Sequence, residues 1–258
     1  MEVIHPKCAG LDVHKDSVVV CARRAENDKV FTEVKTFGTT TKDLLAVADF
    51  LREQGCTHAA MESTGVYWKP VWHILEDSVE LVLANAMHIK NVPGRKTDVN
   101  DATWIAELLA HGLIRASFVP PTPVQEMRDL TRTRKQLVRE TAQHIQRIQK
   151  TLEDANIKLA SVLTDVLGVS GRAILDALVK GETNPEKLAG LTRGAIKASR
   201  KDIIEALRGH VREHHRFLLK LHLAQIDALN AAVCEVEERL GDALEPFRDL
   251  EERLMTIP

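Results

Sequence analysis

Four carboxylates carry the most chemically suggestive pattern in the sequence. Asp12 follows an apolar run in GLDVHK, Glu62 closes another in MESTG, and Asp98 and Asp101 stand three residues apart in KTDVNDA. Carboxylate oxygens are hard donors, which Mg²⁺ takes in preference to nitrogen or sulfur. Two such ions about 3.5–4 Å apart can stabilise both the attacking and the leaving oxygen of an in-line displacement at phosphorus. Taken singly, each residue has a plainer reading. An Asp at the end of a strand is ordinarily a turn residue, and an Asp opening a helix is ordinarily a cap. What the plain readings do not predict is that all four should fall on one side of the same sheet.

The elements that must position them can be read from periodicity. Cys8–Val13 and Ser17–Ala22 are short apolar runs, and Val30–Phe37 alternates apolar and polar residues as a half-buried strand does. Thr39–Thr41 offers N-cap residues for an amphipathic helix to about Gln54, which Gly55 stops. His58–Met61 reads as a strand leading to Glu62. A helix carrying Trp68, Trp72 and Leu75 follows, then a fifth strand at Val79–Leu83. Asp98–His111 is strongly helical, with Asp98 a candidate cap. The order βββαβαβα predicts three antiparallel strands extended by two parallel ones, a mixed five-stranded sheet of the ribonuclease H-like kind. Parallel strands send their C-terminal ends to one edge, where ligands usually sit.

Beyond Pro120, Pro121 and Pro123 the strand signals vanish, and the boundary is placed at 119/120. Met127, Leu130, Leu137, Ile145, Ile148 and Leu152 recur at three- and four-residue spacing. So do Leu218, Leu221, Leu229, Val233, Val236 and Leu240. Residues 120–258 are therefore expected to be an all-α region with two long helices, arranged as a helix bundle or an antiparallel coiled-coil arm.

The net charge of −2 conceals two basic belts. Residues 115–150 hold 8 Lys/Arg against 3 Asp/Glu, and residues 193–222 hold the same numbers, while residues 223–258 hold 3 against 9. Arg128, Arg132, Arg134, Lys135 and Arg139 in the first belt, and Arg200 and Lys201 in the second, are candidate phosphate contacts, as is Lys96 beside Asp98. Each could equally be a solvated face. Aromatic residues make up 4% of the chain, too few for an extended single-strand stacking surface. Tyr67 and Trp68 could stack on a base, although Trp68 and Trp72 at helical spacing are more often core. His14 could help to position substrate or water, with a turn role as the plainer reading. The four cysteines lie far apart, which fits buried thiols in a reducing cytoplasm rather than a zinc ribbon or a disulfide framework. The sequence start has no secretory pattern, and the apolar runs are shorter than a bilayer span, so no membrane partner is expected.

GLDVHKDS, MESTGVYW and PGRKTDVNDATWIAELLAHGLI resemble the three signatures of the DEDD transposases of the IS110 insertion-sequence family. The basic helical segment ending in EERLMTIP is similar to that family's middle region. The resemblance implies a RuvC-like nuclease domain over residues 1–119, with Asp12, Glu62, Asp98 and Asp101 as ligands of Mg²⁺ or Mn²⁺. It implies recombination of the element's DNA ends with a target, guided by a structured bridge RNA; the coiled-coil arms, for their part, suggest a homo-oligomer (dimer or tetramer). In the family a second domain with a nucleophilic serine follows a TIPG-like segment. This chain stops at Pro258, so the resemblance implies a partial form, incomplete for strand exchange.

Other functions fit less of the sequence. A Holliday-junction resolvase would not need the long helical extension. An actin-like sugar kinase would need a duplicated fold and a second Gly-rich phosphate loop. A non-catalytic nucleic-acid-binding, oligomerising remnant keeps both basic belts and is separated from an enzyme only by an assay for cleavage.

Overall fold

The computed structural model describes residues 2–27, 29–63, 65–92 and 100–248, together with residues 253 and 256. The chain divides into two compact units, Met1–Val119 and Pro120–Pro258.

In the first unit, β1 (Lys7–Val13), β2 (Val18–Glu26) and β3 (Lys29–Phe37) form an antiparallel meander. Helix α1 (Thr41–Glu53) leads to β4 (His58–Glu62), parallel to β1, and α2 (Trp68–Leu75) leads to β5 (Glu80–Ala84), parallel to β4. The strand order β3-β2-β1-β4-β5 is the ribonuclease H-like sheet that the element order predicts. Alternation divides its two faces. Ala9, Leu11, Val13, Val20 and Met61 point to one side, beneath Leu44, Val47 and Leu51 of α1 and Val71 and Leu75 of α2. Cys8, Ala60 and Ala84 point to the other, beneath Trp104, Ile105 and Leu108 of α4 (Asp101–Ala110). Burying each of these large side chains contributes about 1.5–3 kcal/mol, so both faces are strongly specified.

Three details differ from the sequence reading. β3 was expected to be half-buried, yet Val30, Phe31 and Val34 are exposed, because β3 is the outer strand and α4 packs mainly on β1 and β2. A short helix, α3 (Ala86–Asn91), follows β5, capped by the Asn85 side chain, which accepts from the Met87 N–H at 2.9 Å. Six residues are too few for a helical period to stand out in a sequence. The helix expected over Asp98–His111 begins at Asp101, and its N-cap is Asn100 rather than Asp98.

In the second unit, α5 (Thr122–Asp154) and α10 (Glu213–Leu244) run antiparallel, as the pairings Arg134–Glu237, His144–His222 and Asp154–His215 require. Pro123 lies inside α5, in the first turn, where a missing N–H costs nothing. At one end the pair is wedged into a core with α6 (Leu159–Val162), α7 (Val169–Val179), α8 (Pro185–Ala189) and α9 (Arg200–Ala206). Ile148, Leu152, Ile174, Leu175, Leu178, Leu219 and Leu223 fill that core. Arg172 of α7 grips the Asp227 carboxylate of α10 through both terminal nitrogens, at 2.6 and 2.7 Å. Further along, Met127, Leu130, Leu137, Val233, Val236 and Leu240 are only half-buried, as a seam between two helices allows.

One 18-residue window of α10 reaches a mean hydropathy of 1.3, enough by composition and length for a membrane span and more than the apolar runs suggested. Within this helix Leu219, Leu223 and Ile226 are buried in the core and Asp227 is held in its ion pair, while 17% of the window as a whole is buried. Cys8, Cys21 and Cys56 are buried as expected, but Cys234 is exposed on α10.

Candidate acidic active site

Leu11 of β1 and Met61 of β4 are register partners, and both point into the α1–α2 core. The next residue on each strand is a carboxylate. Asp12 and Glu62 therefore fall side by side on the opposite face, at the C-terminal edge of the parallel strands. On that face α4 crosses β1 at Gly10, where a Cβ would collide with the Ala102 carbonyl oxygen and the Ala106 nitrogen. The close approach carries the start of α4, and Asp101 with it, towards Asp12. The start itself is fixed by Asn100, whose side-chain oxygen accepts from the Thr103 N–H at 2.7 Å.

The electrostatics record the convergence. Burial pushes the Asp12 carboxyl above its ordinary value, and the Asp101 and Glu62 carboxylates add to the rise, while His14 opposes it. His14 Nε2 stands 3.1 Å from Asp12 Oδ2, and the His14 N–H donates to the Ser17 carbonyl at 2.9 Å, the turn role that the sequence reading favoured. Among the described residues, no three His, Cys, Asp or Glu side chains stand close enough to hold a metal ion. Asp98 and Lys96 lie outside the described residues. In kind, the donors present fit a hard divalent cation: all are carboxylate oxygens, and their mutual repulsion at Asp12 is what a cation relieves.

Two residues important to this arrangement were not singled out in the sequence. Gly10 left a signal, since a glycine inside a strand marks a close backbone approach. Asn100 left another, as an N-capping type immediately before the apolar helix. Trp68 and Trp72 pack edge to face at 6.0 Å against the core, whereas Tyr67 is exposed.

The basic candidates divide by partner. Arg134 bonds Glu237 across the helix pair at 2.6–2.7 Å, and Arg132 lies 3.7 Å from Asp129. Among the described residues, Arg128, Lys135 and Arg139 on α5 and Arg200 and Lys201 on α9 have no carboxylate partner.

Residues 9–157 match the IS110-type DEDD transposase family. The chain belongs to that family. Its class of function is that of a transposase, a nuclease-like recombinase enzyme, and the matched segment takes in β1 from Ala9 onward, the other four strands, α4 and α5. No curated protein matches the chain. Among solved structures, Thermus thermophilus RuvC is similar at 12% identity and a TM-score of 0.32, over 43% of this transposase and 99% of RuvC. T. thermophilus RuvC in complex with Holliday junction substrate gives 12% and 0.31 over the same shares. The Fowlpox virus resolvase with its substrate Holliday junction DNA gives 11% and 0.27, over 35% of this chain and 65% of that one.

Proposed function

We propose that Asp12, Glu62, Asp98 and Asp101 form the metal site with which this transposase cleaves and exchanges DNA strands. The observation that carries the reading is the placement of Asp12 and Glu62 on adjacent parallel strands, with Asp101 brought over the same face by α4 at Gly10. Mg²⁺ or Mn²⁺ bound there would polarise the phosphate oxygens and lower the pKa of a bound water. The chain's own residues hold and aim the donors. Glu62 is fixed by the β4–β5 ladder, Asp101 by the Asn100 cap, and Asp12 by β1 and by His14. A bound cation would offset the repulsion that the Asp101 and Glu62 carboxylates exert on Asp12.

In the same reading the DNA backbone is held by cations that have no carboxylate partner to leave among the described residues. Arg128, Lys135, Arg139, Arg200 and Lys201 meet that description, and Lys96 adds a cation beside Asp98. Arg132 and Arg134 would have to exchange Asp129 and Glu237 for phosphate. A bridge RNA belongs to the reading on the strength of family membership, and a homo-oligomer on the strength of the paired long helices α5 and α10.

The test is strand cleavage and binding of DNA carrying the element's ends, measured on the purified chain with Mg²⁺ or Mn²⁺, beside Asp12→Ala. Cleavage that depends on Asp12 supports the assignment. Wild-type cleavage that Asp12→Ala leaves intact overturns it, and binding without cleavage by the wild type reassigns the chain as a binding module.

A further inference from the structure

Within the seam of the second unit, α5 and α10 each present a histidine towards the other. His144 Nδ1 and His222 Nδ1 lie 3.2 Å apart, with ring centroids 5.2 Å apart and planes at 63°. Both rings are half-buried, next to the core that holds Ile148, Leu219, Leu223 and Ile226. The Arg147 guanidinium approaches His144 Nε2 at 3.4 Å. Arginine can only donate, so His144 Nε2 accepts and its proton sits on Nδ1. That proton points at His222 Nδ1, which is then an acceptor with its own proton on Nε2. One hydrogen bond, from His144 Nδ1–H to His222 Nδ1, links the two rings. Burial, then His144 and Arg147, holds the His222 imidazole below its ordinary value, which keeps it neutral.

We propose that His144 and His222 form a second metal site, a bis-imidazole clamp for a borderline transition-metal ion such as Zn²⁺, joining α5 to α10. Two nitrogens on one tetrahedral ion, at bonds of about 2.0–2.1 Å, lie about 3.3–3.4 Å apart. The two Nδ1 atoms already stand close to that spacing. They face each other from different helices, so an ion between them ties the arm together as neither helix can alone. On binding, the His144 proton moves from Nδ1 to Nε2 and both rings stay neutral. Water completes the coordination. Arg147 then faces an N–H instead of an acceptor and turns away, which its exposed position on α5 permits. Imidazole nitrogen suits Zn²⁺, Cu²⁺ and Ni²⁺, whereas Mg²⁺ takes oxygen. The clamp and the acidic site are therefore selective for different ions, and neither assignment rests on the other. The competing account is a polar layer that only fixes the register of the two helices.

Zn²⁺ titrated calorimetrically into the full chain under excess Mg²⁺ separates the two accounts. The expected result is one equivalent lost in His144→Gln/His222→Gln, with helical circular dichroism retained. Each single substitution should weaken binding by at least about tenfold. Cu²⁺ bound to the wild type should show two nitrogen donors by electron paramagnetic resonance, and one in each single variant. Arg147→Gln keeps both ligands and removes the nearby cation, so it should bind Zn²⁺ more tightly. Zn²⁺ binding that the double variant keeps, that Mg²⁺ displaces or that Arg147→Gln weakens overturns the proposal, as does a wild type that binds none.

Discussion

Gly10 of β1 and Ala102 of α4 meet backbone to backbone. A methyl group at residue 10 would overlap the Ala102 carbonyl oxygen and lie 3.0 Å from the Ile105 carbonyl carbon. Asp12 is two residues beyond Gly10, and Asp101 is the residue before Ala102. One contact between main chains thus sets the approach of two candidate ligands.

Gly10→Ala should therefore damage activity out of proportion to stability. Overpacking of this kind costs about 1–3 kcal/mol, read from urea unfolding. The chain should remain folded at room temperature, yet the displaced α4 carries Asp101 away from Asp12. Cleavage should fall further than the folded fraction does. Cleavage that only tracks the folded fraction would show that α4 does not position the site.

Asn100→Ala removes the side-chain acceptor for the Thr103 N–H at the start of α4. The expected cost is about 1 kcal/mol. Fraying of the first turn loosens Asp101, so the Mg²⁺ concentration for half-maximal cleavage should rise. Asn100→Asp retains an acceptor at the cap and should restore stability. An unchanged metal dependence in Asn100→Ala would separate Asp101 from the metal.

Arg172 and Asp227 give the second unit a pH dependence. The hydrogen bonds from Arg172 hold the Asp227 carboxyl below its ordinary value of 3.8. A depressed carboxyl contributes stability above the unfolded value and loses it as pH falls through the folded value. Side-chain exposures of 32% for Arg172 and 54% for Asp227 put the pair in the weak range, about 0.5–1 kcal/mol. Arg172→Met should lose that amount near neutrality. Below about pH 4, where the unfolded Asp also titrates, its unfolding free energy should fall less steeply than the wild type's. Parallel pH curves for the two proteins would rule out the ion pair as the source.

Cations without a carboxylate partner among the described residues should contribute most to the salt dependence of DNA binding. Arg200→Gln and Lys201→Gln should each lower the slope of log K against log salt by about 1, nearly alike for every DNA sequence. Arg134→Gln should instead destabilise the α5–α10 pair, because Arg134 is already engaged with Glu237. A full-unit slope change at Arg134 with none at Arg200 or Lys201 would invert the assignment.

The five strands were legible because alternation of side chains is a property of consecutive residues. GLDVHK and MESTG showed their carboxylates at strand ends for the same reason. The outer strand misled, since the alternation in Lys29–Phe37 says which side chains share a face but not whether anything covers them. The start of α4 was misplaced because Asp98, Asn100 and Asp101 are all capping types. Only the bond from Thr103 to Asn100 selects among them.

The sequence by itself determined the period of each element, the breaks at Pro120–Pro123 and the residue types available for metal and phosphate. Tertiary structure decided which of them meet. The register of Leu11 against Met61 spans fifty residues, and the crossing of Gly10 by Ala102 spans ninety-two. Both depend on how whole faces pack, which no local pattern records. The same holds for His144 and His222, unremarkable on their own helices and 3.2 Å apart once those helices pair.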